Sequence, residues 1–336
     1  MLFRSLVERH DGAALTWTVE LRDLRAGGRV ELLDTVDPVA RIDWSGDRAL
    51  VVSTGGNSAA NTVDIVRLVD RAGGGRRIER LRVPRYGRLV DALPEDPDHI
   101  LFASAGDGQG ERVVRLEIAS QAALDGARFD AGEALEPGMG NVSLWMSDAR
   151  GRLRAAIAAD AGSRVLLHGE DGRLRPVLAL ADSQAFDPVA LSADGDHVYG
   201  YASKDRAQRD LVEFDPATGK VGRTLFSEPG VDVQAPLFDA RRNLIGASYY
   251  DGGRLVARYF DAGAAEVDER LRARFPGRSL SVLDRDVDGR HAIVMVEGSD
   301  QPGALYHFDA ASGRMDLLEE TRPWLIRSLE VALTKR

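Results

Sequence analysis

The sequence predicts an all-β protein, a seven-bladed β-propeller of four-stranded antiparallel blades whose first blade is incomplete. Two observations lead to this prediction. Short apolar segments that end in an acidic residue and a turn recur about every 47 residues along the 336-residue chain. A second series of tight turns, each followed by another short apolar segment, alternates with the first. One repeat therefore contains four strands, which is the unit of a propeller blade.

The acidic residues of the first series mark the end of the third strand in each repeat. They are Asp23, Asp70, Glu117, Asp171, Asp215, Asp261 and Asp309. The clearest copies are Phe214–Lys220 and Phe308–Arg314, in which a phenylalanine and an aspartate precede a turn that contains glycine. Aspartate and glycine suit such turns because they tolerate positive φ angles. Seven markers predict seven blades.

The second series marks the turn between the first and second strands of a repeat. It comprises Ser45–Asp47, Pro97–His99, Asp148–Gly151, Asp194–Asp196, Asp239–Asn243 and Asp288–Arg290. Each turn precedes a short apolar run such as Ala49–Ser53 or Val198–Ala202. Together the two series divide a propeller domain of residues 1–325 into blades. The predicted blades lie near 1–36, 37–84, 85–137, 138–182, 183–230, 231–277 and 278–322.

The first repeat is too short for four strands. Its second strand is predicted at Leu2–Glu8 and its third at Ala14–Leu21, so that the first strand is missing. Residues 326–336 are predicted to be a tail or a linker toward a further domain. Within this tail Ser328–Thr334 alternates like a strand and could complete the first blade. One segment departs from strand, because apolar residues at helical spacing in Ala264–Phe275 predict one or two helical turns.

The composition excludes several classes of function. The chain carries 53 acidic and 44 basic residues, a net charge of −9, which argues against nucleic acid or an anionic membrane as a partner. It has no cysteine, which removes disulfides and thiolate chemistry. The sequence contains neither a run of about 18 apolar residues nor a signal peptide. A cytoplasmic location is therefore predicted, with the periplasm as the alternative if the N-terminus is truncated.

Three segments approach the pattern of a hydrolase nucleophile, a serine between two glycines on a strained turn. They are Gly56–Ala60, Gly246–Tyr250 and Gly277–Ser281. None has the closing glycine, and none is predicted to lie between a strand and a helix, as that motif requires. No catalytic residue is therefore predicted.

Metal and phosphate motifs are also incomplete. Asp284–Gly289 matches the first half of a calcium loop but lacks the glutamate at loop position 12, so a tight hairpin turn is predicted. Gly106–Gly110 has the composition of a phosphate loop, but a strand follows it, and a hairpin tip is predicted. The histidines show no metal-binding spacing; they are His10, His99, His168, His197, His291 and His307. No metal ligand and no cofactor-binding residue is predicted.

Several segments together resemble a known family. They are Phe186–Gly195, Phe214–Lys220, Pro229–Val233, Phe275–Ser279, Gly298–Tyr306 and Arg322–Leu325, with Leu144–Arg154 upstream. Their order and spacing are similar to those of the propeller domain of the prolyl oligopeptidase family of serine peptidases, in its dipeptidyl-peptidase and acylaminoacyl-peptidase-like bacterial branch. The resemblance implies an α/β-hydrolase domain that carries the catalytic serine, aspartate and histidine and would begin near Arg336. It also implies a propeller that limits access to short or unfolded peptides.

The first functional hypothesis is that this chain is the non-catalytic, substrate-gating and interdomain part of such a peptidase. Its partners would be an α/β-hydrolase domain, missing from this chain, and peptide substrates that pass through the propeller channel, with no cofactor. The chain alone is then expected not to hydrolyse peptides. The alternative is a free-standing propeller that binds a peptide or protein partner. A third hypothesis, a propeller hydrolase with axial carboxylates, is selected by no feature of the sequence.

Overall fold

Antiparallel strands dominate the structure. The computed structural model describes residues 2–11, 14–24, 28–55, 61–71, 75–105, 110–131, 133–134, 141–160, 163–170, 173–298 and 301–321. The chain is an all-β propeller, in agreement with the predicted class. Among the described residues, no helix is long and apolar enough to span a membrane.

The chain divides into two compact units, residues 1–181 and residues 182–336. The first unit begins with a three-stranded meander, β1 (Leu2–Asp11), β2 (Ala14–Asp23) and β3 (Arg29–Thr35). The first blade follows, with β4 (Val39–Ser45), β5 (Ala49–Thr54), β6 (Thr62–Asp70) and β7 (Arg76–Arg82). The second blade has β8 (Arg88–Asp91), β9 (His99–Ala105), β10 (Glu111–Glu117) and β11 (Glu133–Ala134), with α1 (Gln121–Asp125) and a 3-10 turn (Phe129–Ala131) between the last two. The third blade has β12 (Val142–Ser147), β13 (Leu153–Asp160), β14 (Ser163–Glu170) and β15 (Arg173–Ala179).

The second unit contains three further blades. The fourth blade has β16 (Asp187–Leu191), β17 (Val198–Ala202), β18 (Asp210–Asp215) and β19 (Lys220–Phe226). The fifth has only β20 (Val233–Phe238), β21 (Leu244–Asp251) and β22 (Arg254–Tyr259), which α2 (Ala262–Arg274) follows. The sixth has β23 (Ser279–Arg285), β24 (His291–Gly298), β25 (Gln301–Asp309) and β26 (Arg314–Glu320).

The prediction of seven four-stranded blades is wrong, because the described residues form six propeller blades of three or four strands. The strands that were assigned to an incomplete first blade form a separate meander instead. In this meander β1 and β2 make one hairpin with ten residues on each side, and β3 pairs along β2. The marker Asp23 ends β2 of this meander, just as Asp215 and Asp309 end strands of blades, so the count of marker acids includes a sheet that is not a blade. The segment Ser328–Thr334, which was predicted to complete the repeat near residues 1–36, lies outside the described residues.

The first unit is held together by strands that bury both faces. In β5, Leu50 and Val52 face the N-terminal meander, where they pack with Val19 and Leu32. Their neighbour Val51 points to the opposite face, into a cluster with residues of the second blade. Successive side chains of a strand alternate between faces, so one strand can serve two cores. Burial of each such side chain contributes about 1.5–3 kcal/mol.

The repeated aspartates terminate strands by bonding the backbone of the turn that follows. Oδ1 of Asp215 accepts the N–H of Ala217 at 2.8 Å, and Oδ1 of Asp309 accepts the N–H of Ala311 at 2.9 Å. Asp239 accepts the N–H groups of Arg241 and Asn243 in the same way, both at 2.8 Å. A side chain that bonds its own backbone two residues later replaces a ladder bond and starts a turn. This bond explains why the acid recurs in the sequence.

The fifth blade ends in a helix rather than a fourth strand. Asp261 caps α2, since its Oδ1 accepts the N–H of Ala264 at 2.8 Å. Leu271 on the helix packs with Val294 and Phe308 of the sixth blade. The helical segment predicted within Ala264–Phe275 is therefore present, and it is longer than the one or two turns expected.

Candidate functional site

An open groove of about 450 Å³ lies between the fourth and fifth blades, within the second unit. Its volume is in the range of small-molecule and peptide-side-chain pockets. We refer to it as the interblade groove. The side chains that give it its chemistry are Ser192, Asp194, Tyr199, Arg223, Asn243 and Phe260.

The turn between β16 and β17 supplies a carboxylate at the groove. The hydroxyl of Ser192 donates to Oδ1 of Asp194 at 2.5 Å, and the N–H of Asp196 donates to the same oxygen at 3.0 Å. The hydrogen bond from Ser192 is the main reason why the pKa of Asp194 lies below its ordinary value. Asp194 is therefore ionised at neutral pH and presents a negative charge on a rigid turn.

Two aromatic side chains, Tyr199 and Phe260, line the groove. The ring of Tyr199 on β17 stacks on Phe238 of β20, with centroids 6.2 Å apart. Burial, followed by the charges of Glu213 and Asp194, raises the pKa of Tyr199, so its hydroxyl stays protonated at neutral pH. Phe260 lies at the rim and is 46% exposed. An exposed aromatic side chain beside a neutral hydroxyl suits both apolar and hydrogen-bonding contacts.

A cation from the fourth blade and an amide from the fifth also line the groove. Arg223 on β19 is 71% exposed and lies 3.4 Å from Oε2 of Glu213. Asn243 is held by Asp239, because its Nδ2 donates to Oδ2 of that residue at 2.8 Å. The groove thus offers a carboxylate, a guanidinium, an amide and aromatic rings among its lining side chains. This combination fits an extended peptide, whose backbone needs donors and acceptors and whose side chains need apolar contact.

Arg209 and Tyr201 fasten the fourth blade to the fifth near the groove. The guanidinium of Arg209 donates to the carbonyl of Val233 through Nε at 3.0 Å and Nη2 at 2.6 Å. It also lies over the ring of Tyr201, 4.7 Å from its centroid. The Tyr201 hydroxyl in turn donates to the carbonyl of Gln234 at 2.8 Å. These contacts join the two blades.

The structure places two of the three serine segments away from any nucleophile geometry. Ser248 is buried in β21, and its hydroxyl donates to the carbonyl of Ala235 at 3.4 Å. Ser279 begins β23, and its Oγ accepts the N–H of Leu255 at 3.1 Å. Neither serine lies on a strand-to-helix turn, as a hydrolase nucleophile requires. The segment Gly56–Ala60 lies outside the described residues.

The half calcium loop Asp284–Gly289 is the turn between β23 and β24, in agreement with the predicted hairpin. Oδ1 of Asp286 accepts the N–H of His291 at 3.1 Å and closes this turn. Within the described part of the chain, no three or more His, Cys, Asp or Glu side chains converge as a metal site would require. Of the glycine-rich Gly106–Gly110 segment, only Gly110 is described.

Two histidines that are distant in sequence meet in the sixth blade. Nδ1 of His291 lies 3.1 Å from Nε2 of His307. Burial, followed by the presence of His291, holds the pKa of His307 below its ordinary value. Sequence spacing did not predict this pair, because it depends on the register between β24 and β25.

The residues of the interblade groove were likewise absent from the sequence prediction. Asp194 and Asn243 belong to turns that the repeat did predict, but only as structural turns. Their convergence depends on how one blade packs on the next, and no local pattern in the sequence carries that information.

Neither a protein-family model nor a curated protein matches the sequence. Solved structures do match. The chain superposes on one of two prolyl endopeptidases with a TM-score of 0.55 and 11% identity, over 94% of this chain and 49% of the endopeptidase. For the acylaminoacyl peptidase of Pyrococcus horikoshii the TM-score is 0.54 and the identity 12%, over 98% of this chain and 52% of the peptidase.

A third similar structure is the β-propeller domain of the Trilobed protease from Pyrococcus furiosus. Its TM-score is 0.54 and its identity 10%, and the match covers 96% of both chains. The chain thus spans about half the length of the full peptidases and nearly the whole of an isolated propeller domain. At these identities the likeness establishes the fold. The resemblance predicted from the sequence is therefore confirmed, and the chain has the fold of the propeller domains of prolyl oligopeptidases and acylaminoacyl peptidase.

Proposed function

We propose that the chain is the non-catalytic propeller part of a serine peptidase that acts on peptides, where it pairs with an α/β-hydrolase domain and restricts which substrates reach it. The observation that carries the proposal is the match to a peptidase propeller over nearly the whole chain but only about half of the full peptidases. The two serines of the hydrolase-like segments that are described bond to backbone groups, which supports a non-catalytic role for this part.

The proposal is tested on the coding sequence that follows Arg336. We expect it to encode a Gly-x-Ser-x-Gly segment between a strand and a helix, followed by an aspartate and a histidine. The continuous polypeptide should then cleave fluorogenic aminoacyl and dipeptidyl substrates, and serine-to-alanine substitution at that motif should abolish cleavage. A downstream coding sequence without a hydrolase domain would overturn the proposal that the propeller and the hydrolase are parts of one polypeptide.

The gating role needs a separate measurement. The rate of cleavage by the intact polypeptide is compared with that by its hydrolase domain alone. The substrates are a short fluorogenic peptide and a folded protein that contains the same cleavage sites. We expect the propeller to suppress cleavage of the folded protein while leaving cleavage of the short peptide within a few-fold. Equal cleavage of both substrates with and without the propeller would contradict gating.

The interblade groove supports a second candidate function, a free-standing propeller that binds an extended peptide. The observation in favour is that the charged side chains of Asp194 and Arg223 line the groove together with the rings of Tyr199 and Phe260. Fluorescence anisotropy with a labelled unstructured peptide that contains one glutamate and one phenylalanine tests it. Arg223→Glu should weaken binding, whereas Arg258→Glu, an exposed charge of the fifth blade outside the groove lining, should not.

A further inference from the structure

The histidine pair of the sixth blade is fixed by strand register. Ile293 of β24 lies opposite His307 of β25, so His291, two residues earlier on β24, lies diagonal to His307 on the same face. The two rings are 5.1 Å apart at their centroids and inclined by 28°. Both side chains therefore project from neighbouring strands of one sheet, which positions their nitrogens without dependence on a flexible loop.

The other ring nitrogen of His307 faces a carboxylate. Asp316 of β26 lies opposite His307 in the strand pairing, and its Oδ2 is 4.0 Å from Nδ1 of His307. Asp316 is itself held by Arg314, whose Nε lies 2.9 Å from its Oδ1. Metal-binding histidines commonly direct their second ring nitrogen at a carboxylate, which orients the ring and increases its basicity.

The separation of the two facing nitrogens fits a shared metal ion. Zn–N bonds of about 2.0–2.1 Å at a tetrahedral angle place two ligating nitrogens about 3.3 Å apart. The observed 3.1 Å between Nδ1 of His291 and Nε2 of His307 lies within a few tenths of an ångström of that value. One of these nitrogens donates a hydrogen bond to the other. When Nδ1 of His291 is the donor, a shift of its proton through solvent to Nε2 of the same ring frees both lone pairs without a change in net charge.

We propose that His291 and His307 form a two-histidine site for a divalent transition-metal ion, with Zn²⁺ as the representative ion. Imidazole nitrogens favour Zn²⁺, Cu²⁺ and Ni²⁺ over Mg²⁺ and Ca²⁺, which take oxygen ligands. Within the described residues, no third His, Cys, Asp or Glu completes a ligand set. Water or a donor from a bound molecule can fill the remaining coordination positions.

Calorimetric titration of the full chain with ZnCl₂ tests the proposal. We expect saturable binding that His291→Gln and His307→Gln each weaken by at least tenfold, with no saturable heat from MgCl₂. Asp316→Asn should weaken zinc binding by about tenfold, in the manner of other outer-shell carboxylates. The matched control is His99→Gln, a half-exposed histidine on β9 that pairs with Asp96 at 3.0 Å, and it should leave the affinity within twofold.

The side chain of His307 is only 12% exposed, so its replacement can disturb packing. Circular dichroism therefore accompanies each variant, and His291→Gln, at the start of β24, carries the test by itself if His307→Gln does not fold. Three outcomes would overturn the proposal. They are a folded wild-type chain without saturable zinc binding, an affinity that His291→Gln leaves within twofold, or an equal loss in the His99→Gln control.

Discussion

Tyr199 of the fourth blade stacks on Phe238 of the fifth, with their ring planes inclined by 26°. The contact joins two blades whose strands share no backbone ladder. Because Tyr199 also lines the interblade groove, it contributes both to the packing of the blades and to the surface that we propose for peptide binding.

Removal of either ring should loosen the contact between these blades. We expect Tyr199→Ala and Phe238→Ala each to lower the free energy of unfolding, and a double-mutant cycle to give a coupling of about 0.5–1.5 kcal/mol, the usual value for an aromatic pair. Urea denaturation measures all four proteins. Tyr250→Ala, a tyrosine that is 54% exposed, serves as the control and should change stability by less than about 0.5 kcal/mol. Additive effects would contradict a direct contact.

Gly200 should tolerate no side chain. A Cβ at this position of β17 would lie 2.5 Å from Cε2 of Phe186 and 2.6 Å from the carbonyl oxygen of Asp187. We expect Gly200→Ala to cost about 1–3 kcal/mol through overpacking. Gly222→Ala on β19 is the matched control, because its nearest neighbour would be 3.7 Å away, an ordinary contact. Equal denaturation midpoints for the two variants would show that β17 can shift to relieve the clash.

Acid should remove the stabilising effect of Asp194. Since the pKa of this carboxyl is lowered in the folded chain, chiefly by the Ser192 hydroxyl, its contribution is present above the unfolded value of about 3.9 and is lost as the pH falls through the folded value. Asp194→Asn should therefore melt below the wild type at pH 7, and the gap should narrow below about pH 4.

Melting temperatures between pH 7 and pH 2 measure the effect of Asp194. Asp47→Asn provides the control, since the Asp47 side chain is 85% exposed, and exposed pairs contribute little. A gap for Asp194→Asn that stays constant down to pH 2 would show that the hydroxyl contact does not depend on the charge.

Arg88 should be among the most important charged residues of the first unit. Its Nε donates to Oε1 of Glu111 at 3.0 Å, and its Nη2 donates to the carbonyl of Val142 in the third blade at 2.8 Å. Trp145 also donates to Glu111, at 2.7 Å. We expect Arg88→Ala to cost about 1–3 kcal/mol, because it leaves Glu111 with fewer partners in a largely buried place.

The comparison variant for Arg88 is Arg48→Ala. Arg48 pairs with Asp47 on the surface at 3.7 Å, and their side chains are 67% and 85% exposed. Its loss should change the free energy of unfolding by less than about 0.5 kcal/mol, as is usual for exposed pairs. Guanidinium denaturation that ranks the two variants in the opposite order would contradict the role assigned to Arg88.

Local chemistry in the sequence was sufficient to predict the turns. The repeated Phe-Asp segments at Asp215 and Asp309 become turns because the carboxylate bonds backbone N–H groups two and three residues later. That bond depends only on neighbours in the chain, so a pattern of residue types can reveal it. The helix after Asp261 was predictable for the same reason, since its cap and its apolar spacing are local.

Local chemistry in the sequence could not predict the number of blades or the candidate sites. Asp23 ends a strand of a three-stranded meander as Asp215 and Asp309 end strands of blades, so a count of these acids overestimates the blades. The interblade groove requires Asp194 and Asn243 to meet across two sheets, and the His291–His307 pair requires a particular register. These relationships arise from packing and pairing between segments that are distant in sequence, which residue spacing does not specify.

Helix α2 has a consequence for the behaviour of the chain in concentrated solution. It follows the last strand of the three-stranded fifth blade, and Arg272 on it directs Nη2 to the carbonyl of Ala257 in β22 at 3.4 Å. An outermost strand with free carbonyls invites strands from other molecules and leads to aggregation. Arg272 occupies this carbonyl, and α2 lies where a strand of another molecule would add. We therefore expect α2 to oppose self-association of the chain.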